Sequence, residues 1–108
     1  MREIKREKMR EIIHRLAAEF VRNEAGDTSL LTITRVEISP TGKESKIYFT
    51  TLPENLENTA LKFLIRKTPE FNVYVRNKSR LGMVPHIDFK IDYGERHRQK
   101  LDELSEEH

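Results

Sequence analysis

Six basic side chains between positions 62 and 80 carry the clearest chemistry in this chain. Lys62, Arg66, Lys67, Arg76, Lys78 and Arg80 stand against one carboxylate, Glu70, for a local net charge of +5. Guanidinium and ammonium groups make charge-assisted hydrogen bonds to phosphate oxygens, which position a protein on a nucleic acid without reading its bases. The first ten residues repeat the bias: Arg2, Lys5, Arg6, Lys8 and Arg10 against Glu3 and Glu7, net +3. They either extend a phosphate-binding face or form helix-surface ion pairs worth ~0.2–0.5 kcal/mol each. Residues 101–108 carry Asp102, Glu103, Glu106 and Glu107, net −4, an acidic tail suited to staying off such a face. The plainer reading of all three segments is uneven charge on a solvated surface.

Other chemistries find less support. His14, His86, His97 and His108 lack i, i+4 ligand partners, and a zinc site wants three or four close N or S donors. Ser39, Ser45 and Ser79 have no nucleophile-elbow motif around them. Asp88 and Asp92 read as residues of a wet strand face rather than a catalytic pair. Gly26, Gly42 and Gly82 are isolated and make no phosphate loop. Tyr48 points away from Ile47 and Phe49; it stacks on a base or, as the simpler reading, serves the fold. These residues lead to no catalysis, metal or cofactor.

The elements that must carry the basic residues are legible from periodicity. Met9, Ile12, Ile13, Leu16, Ala17, Phe20 and Val21 follow helical spacing, giving a helix over about 3–22 that Asn23 and Gly26 can stop. Residues 26–29 read as a loop. A strand follows at about 30–39, where Leu31 and Ile33 have one parity and Val36 and Ile38 the other. A bulge near Thr34-Arg35 would return both pairs to one buried face. A turn at 40–43 leads into a second, antiparallel strand at about 45–51. A helix is expected over 55–66 with Asn55 as N-cap. Pro69 lacks an N–H and its ring clashes with the preceding turn, so a break is expected there. Thr68 would cap a third helix over 69–79, although Val73, Tyr74 and Val75 also suit a strand. Ile87, Phe89 and Ile91 alternate with Asp88, Lys90 and Asp92 in a last strand. The expected core is Ile13, Leu16, Phe20, Ile33, Val36, Ile38, Ile47, Phe49, Phe63, Leu64, Phe71, Ile87 and Phe89.

This order is helix-strand-strand-helix-kinked helix-strand. It is the layout of an α+β, type II KH-like domain, a three-stranded sheet with helices on one face and a wet second face. One domain is expected over 1–98, with an acidic C-terminal tail over 99–108. There is no cysteine, no apolar run near ~20 residues and a charged N-terminus unlike a secretory signal. These point to a cytoplasmic protein without a membrane partner.

Three short stretches carry a family resemblance: Val36-Glu37-Ile38-Ser39-Pro40, Lys46-Ile47-Tyr48-Phe49 and Val84-Pro85-His86-Ile87-Asp88-Phe89-Lys90-Ile91-Asp92. In this order and spacing the chain resembles the bacterial ribosome-binding factor A family over about residues 4–98. The third stretch is similar to the family's V-P-E-L-x-F-x-x-D run. An ordinary KH domain clamps nucleic-acid backbone with a G-x-x-G loop. The family replaces that loop with an Ala-x-Gly kink, which falls here on Lys67-Thr68-Pro69. Two family arginines fall on Asn72 and Gly82, and the C-terminal extension of many members is nearly absent, as in a divergent, minimal member. The resemblance implies a monomeric, non-catalytic assembly factor without cofactor. It would bind the immature small (30S) ribosomal subunit and assist maturation of its 16S rRNA, with other assembly factors as further partners. The expected RNA-binding set is Arg66, Lys67, Thr68, Asn72, Arg76, Lys78, Arg80, Lys5 and Arg6. The alternative is a KH-like protein-interaction module whose basic face is incidental; salt-dependent binding to small-subunit RNA separates the two.

Overall fold

The structure is a computed structural model and describes residues 1–25, 30–95, 97–98 and 101. The order is α1 (Glu3–Ala25), β1 (Leu30–Ile38), β2 (Glu44–Leu52), a short 3-10 turn (Glu54–Leu56), α2 (Glu57–Lys78) and β3 (His86–Ile91). The three strands form one sheet in the order β1-β2-β3. β1 and β2 are antiparallel; β2 and β3 are parallel, which requires a crossover, and α2 supplies it. This is the expected α+β, KH-like layout.

The bulge falls where the change of parity requires it. Ile33 pairs with Phe49 and Arg35 with Tyr48, so Thr34 is the extra residue. Ile33, Val36 and Ile38 are consequently all buried on the helix-facing side. The turn closes one residue earlier than expected, with the Gly42 N–H donating to the Ser39 carbonyl at 2.9 Å. Gly42 has φ +75°, a conformation that glycine adopts without a Cβ clash.

α1 lies against β1 and α2 against β3. An aromatic seam joins the layers: Phe71 sits 5.2 Å from Phe20 and 5.7 Å from Phe89, centroid to centroid. Every expected core residue is buried except Phe63, which is half-buried and packs against the cluster. Met9, Ala17, Val21, Val75 and Ile91 complete it.

The expected break at Pro69 is not observed. α2 runs unbroken from Glu57 to Lys78 with Pro69 inside it. Thr68 does not cap a new helix; its hydroxyl donates back to the Leu64 carbonyl at 2.8 Å. Such back-bonding bends helices and does not supply the donor that the Ile65 carbonyl lacks. Nor does Asn55 cap the helix: it lies in the 3-10 turn, and Leu56 precedes α2 without a side-chain cap bond.

The second face of the sheet is charged, as expected, in two cross-strand rows. Glu37, Lys46 and Asp88 make one; Arg35, Tyr48 and Lys90 make the other. Asp92 departs from expectation: it is 4% exposed, not part of a wet face. Its carboxylate accepts from the Thr34 hydroxyl (2.5 Å), Arg35 Nε (3.4 Å) and the Glu95 N–H (3.0 Å). The expected loop at 26–29 and nearly all of the acidic tail lie outside the described residues.

Candidate nucleic-acid interface

Side chains three and four apart share one side of a helix. On α2, positions 62, 66, 69, 73 and 76 recur at that spacing, opposite the buried Glu57, Leu64, Phe71 and Val75. Lys62, Arg66 and Arg76 thus form an exposed line, with Pro69 and Val73 exposed between them. From Lys62 to Arg76 it extends roughly 20 Å at about 1.5 Å per residue. Arg80 follows just beyond the C-cap Ser79 and is also exposed. Among the described residues, Lys62, Arg66, Arg76 and Arg80 have no carboxylate within ion-pair distance. No described carboxylate compensates these cationic groups, a state that favours phosphate binding through release of counterions.

The remaining expected residues are placed differently. Lys67 reaches α1, where its ammonium pairs with Glu24, and it also pairs with Glu70 of α2, each at 3.4 Å. Hydrogen bonds to Glu70 and Glu24, with their charges, hold the Lys67 pKa above its usual value. Its charge is therefore answered within the fold. The hydroxyl of Thr68 is committed to Leu64. The carbonyl oxygen of the Asn72 side chain accepts from an Arg76 guanidinium N–H at 3.2 Å, so Asn72 steadies Arg76. Lys78 sits over the Tyr74 ring, 5.8 Å from its centroid, on the side toward α1. The Tyr74 hydroxyl donates to Glu19 at 3.1 Å; burial, then Glu19, raises its pKa.

Pairing of Phe20 with Phe71 and Glu24 with Lys67 makes α1 and α2 antiparallel. The start of α1 and the end of α2 therefore share one end of the molecule. Lys5 and Arg6 lie at the end that carries Lys78 and Arg80, far from Lys62. Arg6 is engaged with Glu3 at 2.7 Å; Lys5 is exposed.

Tyr48 serves the fold. The Arg35 guanidinium stacks on its ring at 3.8 Å, and its hydroxyl donates to Glu37 at 3.2 Å. Burial and the Glu37 charge push its phenol pKa up. On the same face Lys90 pairs with Asp88 at 3.7 Å. The sheet surface is thus largely balanced, whereas exposed cations without a described ion-pair partner lie on both helices: Lys62, Arg66 and Arg76 on α2, and Lys5, Lys8, Arg15 and Arg22 on α1. The expected set lacks Lys62, whose i, i+4 spacing to Arg66 places it on the same line. No group of three or more potential metal ligands occurs among the described residues, and no described helix is long and apolar enough to cross a membrane.

A sequence profile of the ribosome-binding factor A family matches residues 5–105. Ribosome-binding factor A of Thiobacillus denitrificans is 32% identical over 97 residues, covering 87% of this chain and 78% of that protein. The Coxiella burnetii protein of the same name is 27% identical over 90 residues, covering 82% of this chain and 76% of that protein. The crystal structure of ribosome-binding factor A from Thermus thermophilus superposes with a TM-score of 0.70 at 22% identity, covering 80% of this chain and 94% of that one. A homology model of the Thermus thermophilus factor, as fitted into a cryo-EM map of a 30S–RbfA complex, superposes with a TM-score of 0.62 at 25% identity, covering 73% and 86%.

Proposed function

The chain belongs to the ribosome-binding factor A family, and on that premise we propose that it binds the small ribosomal subunit and assists maturation of its 16S rRNA. The observation that carries this reading is the line of uncompensated cations, Lys62, Arg66 and Arg76, continued by Arg80. Phosphate contacts of this kind supply most of the affinity for nucleic acid and fix orientation on it. The relative fitted into a 30S complex map supports the choice of partner. In this reading the protein acts by occupying RNA, as a monomer in the cytoplasm, and performs no chemical step. Lys5 adds a contact at the far end, where Arg6 is held by Glu3; Lys67 and Thr68 act through the fold of α2, and Asn72 acts by steadying Arg76.

Co-sedimentation with immature small subunits over a salt series tests it. Binding weakens steeply with salt, and Arg66→Gln or Arg76→Gln each lowers the slope of log K against log salt by about 0.7–0.9. Lys90→Gln, already paired with Asp88, leaves the slope unchanged. Equal slopes in all three variants would remove this face from the reading. Binding that ignores salt would favour a protein-interaction role.

A further inference from the structure

At the end of the molecule where α1 finishes and α2 begins lies an open groove of about 420 Å³. Its wall is apolar where Leu31, Leu56, Ala60 and Phe63 meet, and Lys62 and Arg66 stand on its rim. Leu56 is 42% exposed, so apolar surface is left facing water here. A partly exposed aromatic ring, with the Lys67 ammonium 6.0 Å from its centroid, stands beside two cations one helical turn apart that no described carboxylate pairs; together they offer a base a stacking surface and its phosphates two positive groups. Proteins recognise single-stranded RNA in this way, with unstacked bases on aromatic rings and phosphates on adjacent cations.

We propose that this groove takes one unpaired nucleotide of single-stranded RNA, its base against Phe63 and its phosphates at Lys62 and Arg66. The proposal deepens the RNA-binding reading above and rests on it. It assigns the α2 line a polarity: the Lys62 end captures a splayed base, and the Arg76 end holds backbone only. The hydroxyl-bearing Thr51 and Thr59 and the Glu24 carboxylate also line the groove, within the wall a base edge would meet. Thr51 donates its hydroxyl to the Pro53 carbonyl at 3.0 Å, and Glu24 is held by Lys67.

The test uses a short single-stranded oligoribonucleotide with one 2-aminopurine, whose fluorescence is quenched on stacking. The wild-type chain is expected to quench it in a salt-dependent way. Phe63→Leu keeps an apolar group but no ring, and is expected to lose the quench and bind about tenfold more weakly. Thr59→Leu is the second variant, an exposed position where added bulk narrows the groove without touching the core; it is expected to lose the quench as well. Circular dichroism confirms that both are folded. Wild-type binding without quench, or groove variants that quench and bind like wild type, overturns the proposal. If the variants bind oligonucleotide normally but lose co-sedimentation with small subunits, the groove takes a protein side chain and the proposal fails. In each of these cases salt-sensitive co-sedimentation of the wild type leaves the ribosomal reading standing, so the two fail separately.

Discussion

Replacing Pro69 by alanine is expected to make the protein more stable and its RNA binding weaker. Proline inside a helix costs about 3 kcal/mol relative to alanine. At position 69 the missing N–H leaves the Ile65 carbonyl without its helical donor, and the ring presses on that same carbonyl. Alanine restores one hydrogen bond, worth a net ~0.5–1.5 kcal/mol, and removes the clash. Against this, the unfolded chain gains freedom when proline is lost, about 0.4–1 kcal/mol. The net expectation is a gain of about 2 kcal/mol, or a Tm rise of about 8–16 °C. Function is expected to move the other way, because Arg66 and Arg76 lie on opposite sides of position 69. Proline bends helices, so its removal alters the spacing and direction of their guanidinium groups. The assays are thermal denaturation and co-sedimentation with immature small subunits at fixed salt. A lower Tm would refute the energetic argument. Unchanged affinity in a variant whose helix is shown by NMR to have straightened would refute the geometric one.

Phe71→Ala should cost about 3–5 kcal/mol, because a fully buried ring touching both Phe20 and Phe89 is lost; a urea titration with a shift below about 1 kcal/mol would contradict the seam. Asp92→Ala should cost about 1.5–3 kcal/mol, since Thr34, Arg35 and the Glu95 N–H lose a charged acceptor, and thermal melts of Asp92→Ala and Asp92→Asn should rank the alanine variant lower. Tyr74 gives an alkaline signature. Its pKa is raised in the fold, so its contribution is complete below the unfolded value near ~10 and is lost as pH rises through the folded value. Stability of Tyr74→Phe plotted against pH should therefore lack part of the alkaline decline of the wild type; identical declines would remove Tyr74 as its source.

The sheet was largely readable because burial imposes parity. Leu31 and Ile33 against Val36 and Ile38 could share a face only through an extra residue, and Thr34 is that residue. Alternation in residues 87–92 likewise gave β3, but alternation says nothing of direction, and the parallel pairing of β3 with β2 follows from the α2 crossover. Pro69 misled because local sterics favour a break, whereas Leu64, Phe71 and Val75, buried on one face across that position, hold the helix continuous. Asp92 was hidden because its partners Thr34 and Arg35 lie far away in sequence, beside a bulge whose aim only the tertiary fold fixes. The basic site was legible as composition and only partly as geometry. Charge counting cannot separate Lys67, answered by Glu24 from another helix, from Arg66, answered by nothing among the described residues. Helical spacing does separate them, and it also brings Lys62 into the line.

The mixed pairing of β2 sets an order of assembly. β1 meets β2 across a tight turn, so that hairpin closes a short loop and can form early. β3 reaches β2 only after the whole segment 53–85 has been brought round, a non-local closure whose chain entropy is met late. Until then the second edge of β2 is open, with Ile47 and Phe49 uncovered by α2 and β3. In a pulsed hydrogen-exchange experiment the amides bonding β1 to β2 should gain protection before those bonding β2 to β3. The same half-sheet is the species most exposed to pairing with another copy during refolding at high concentration.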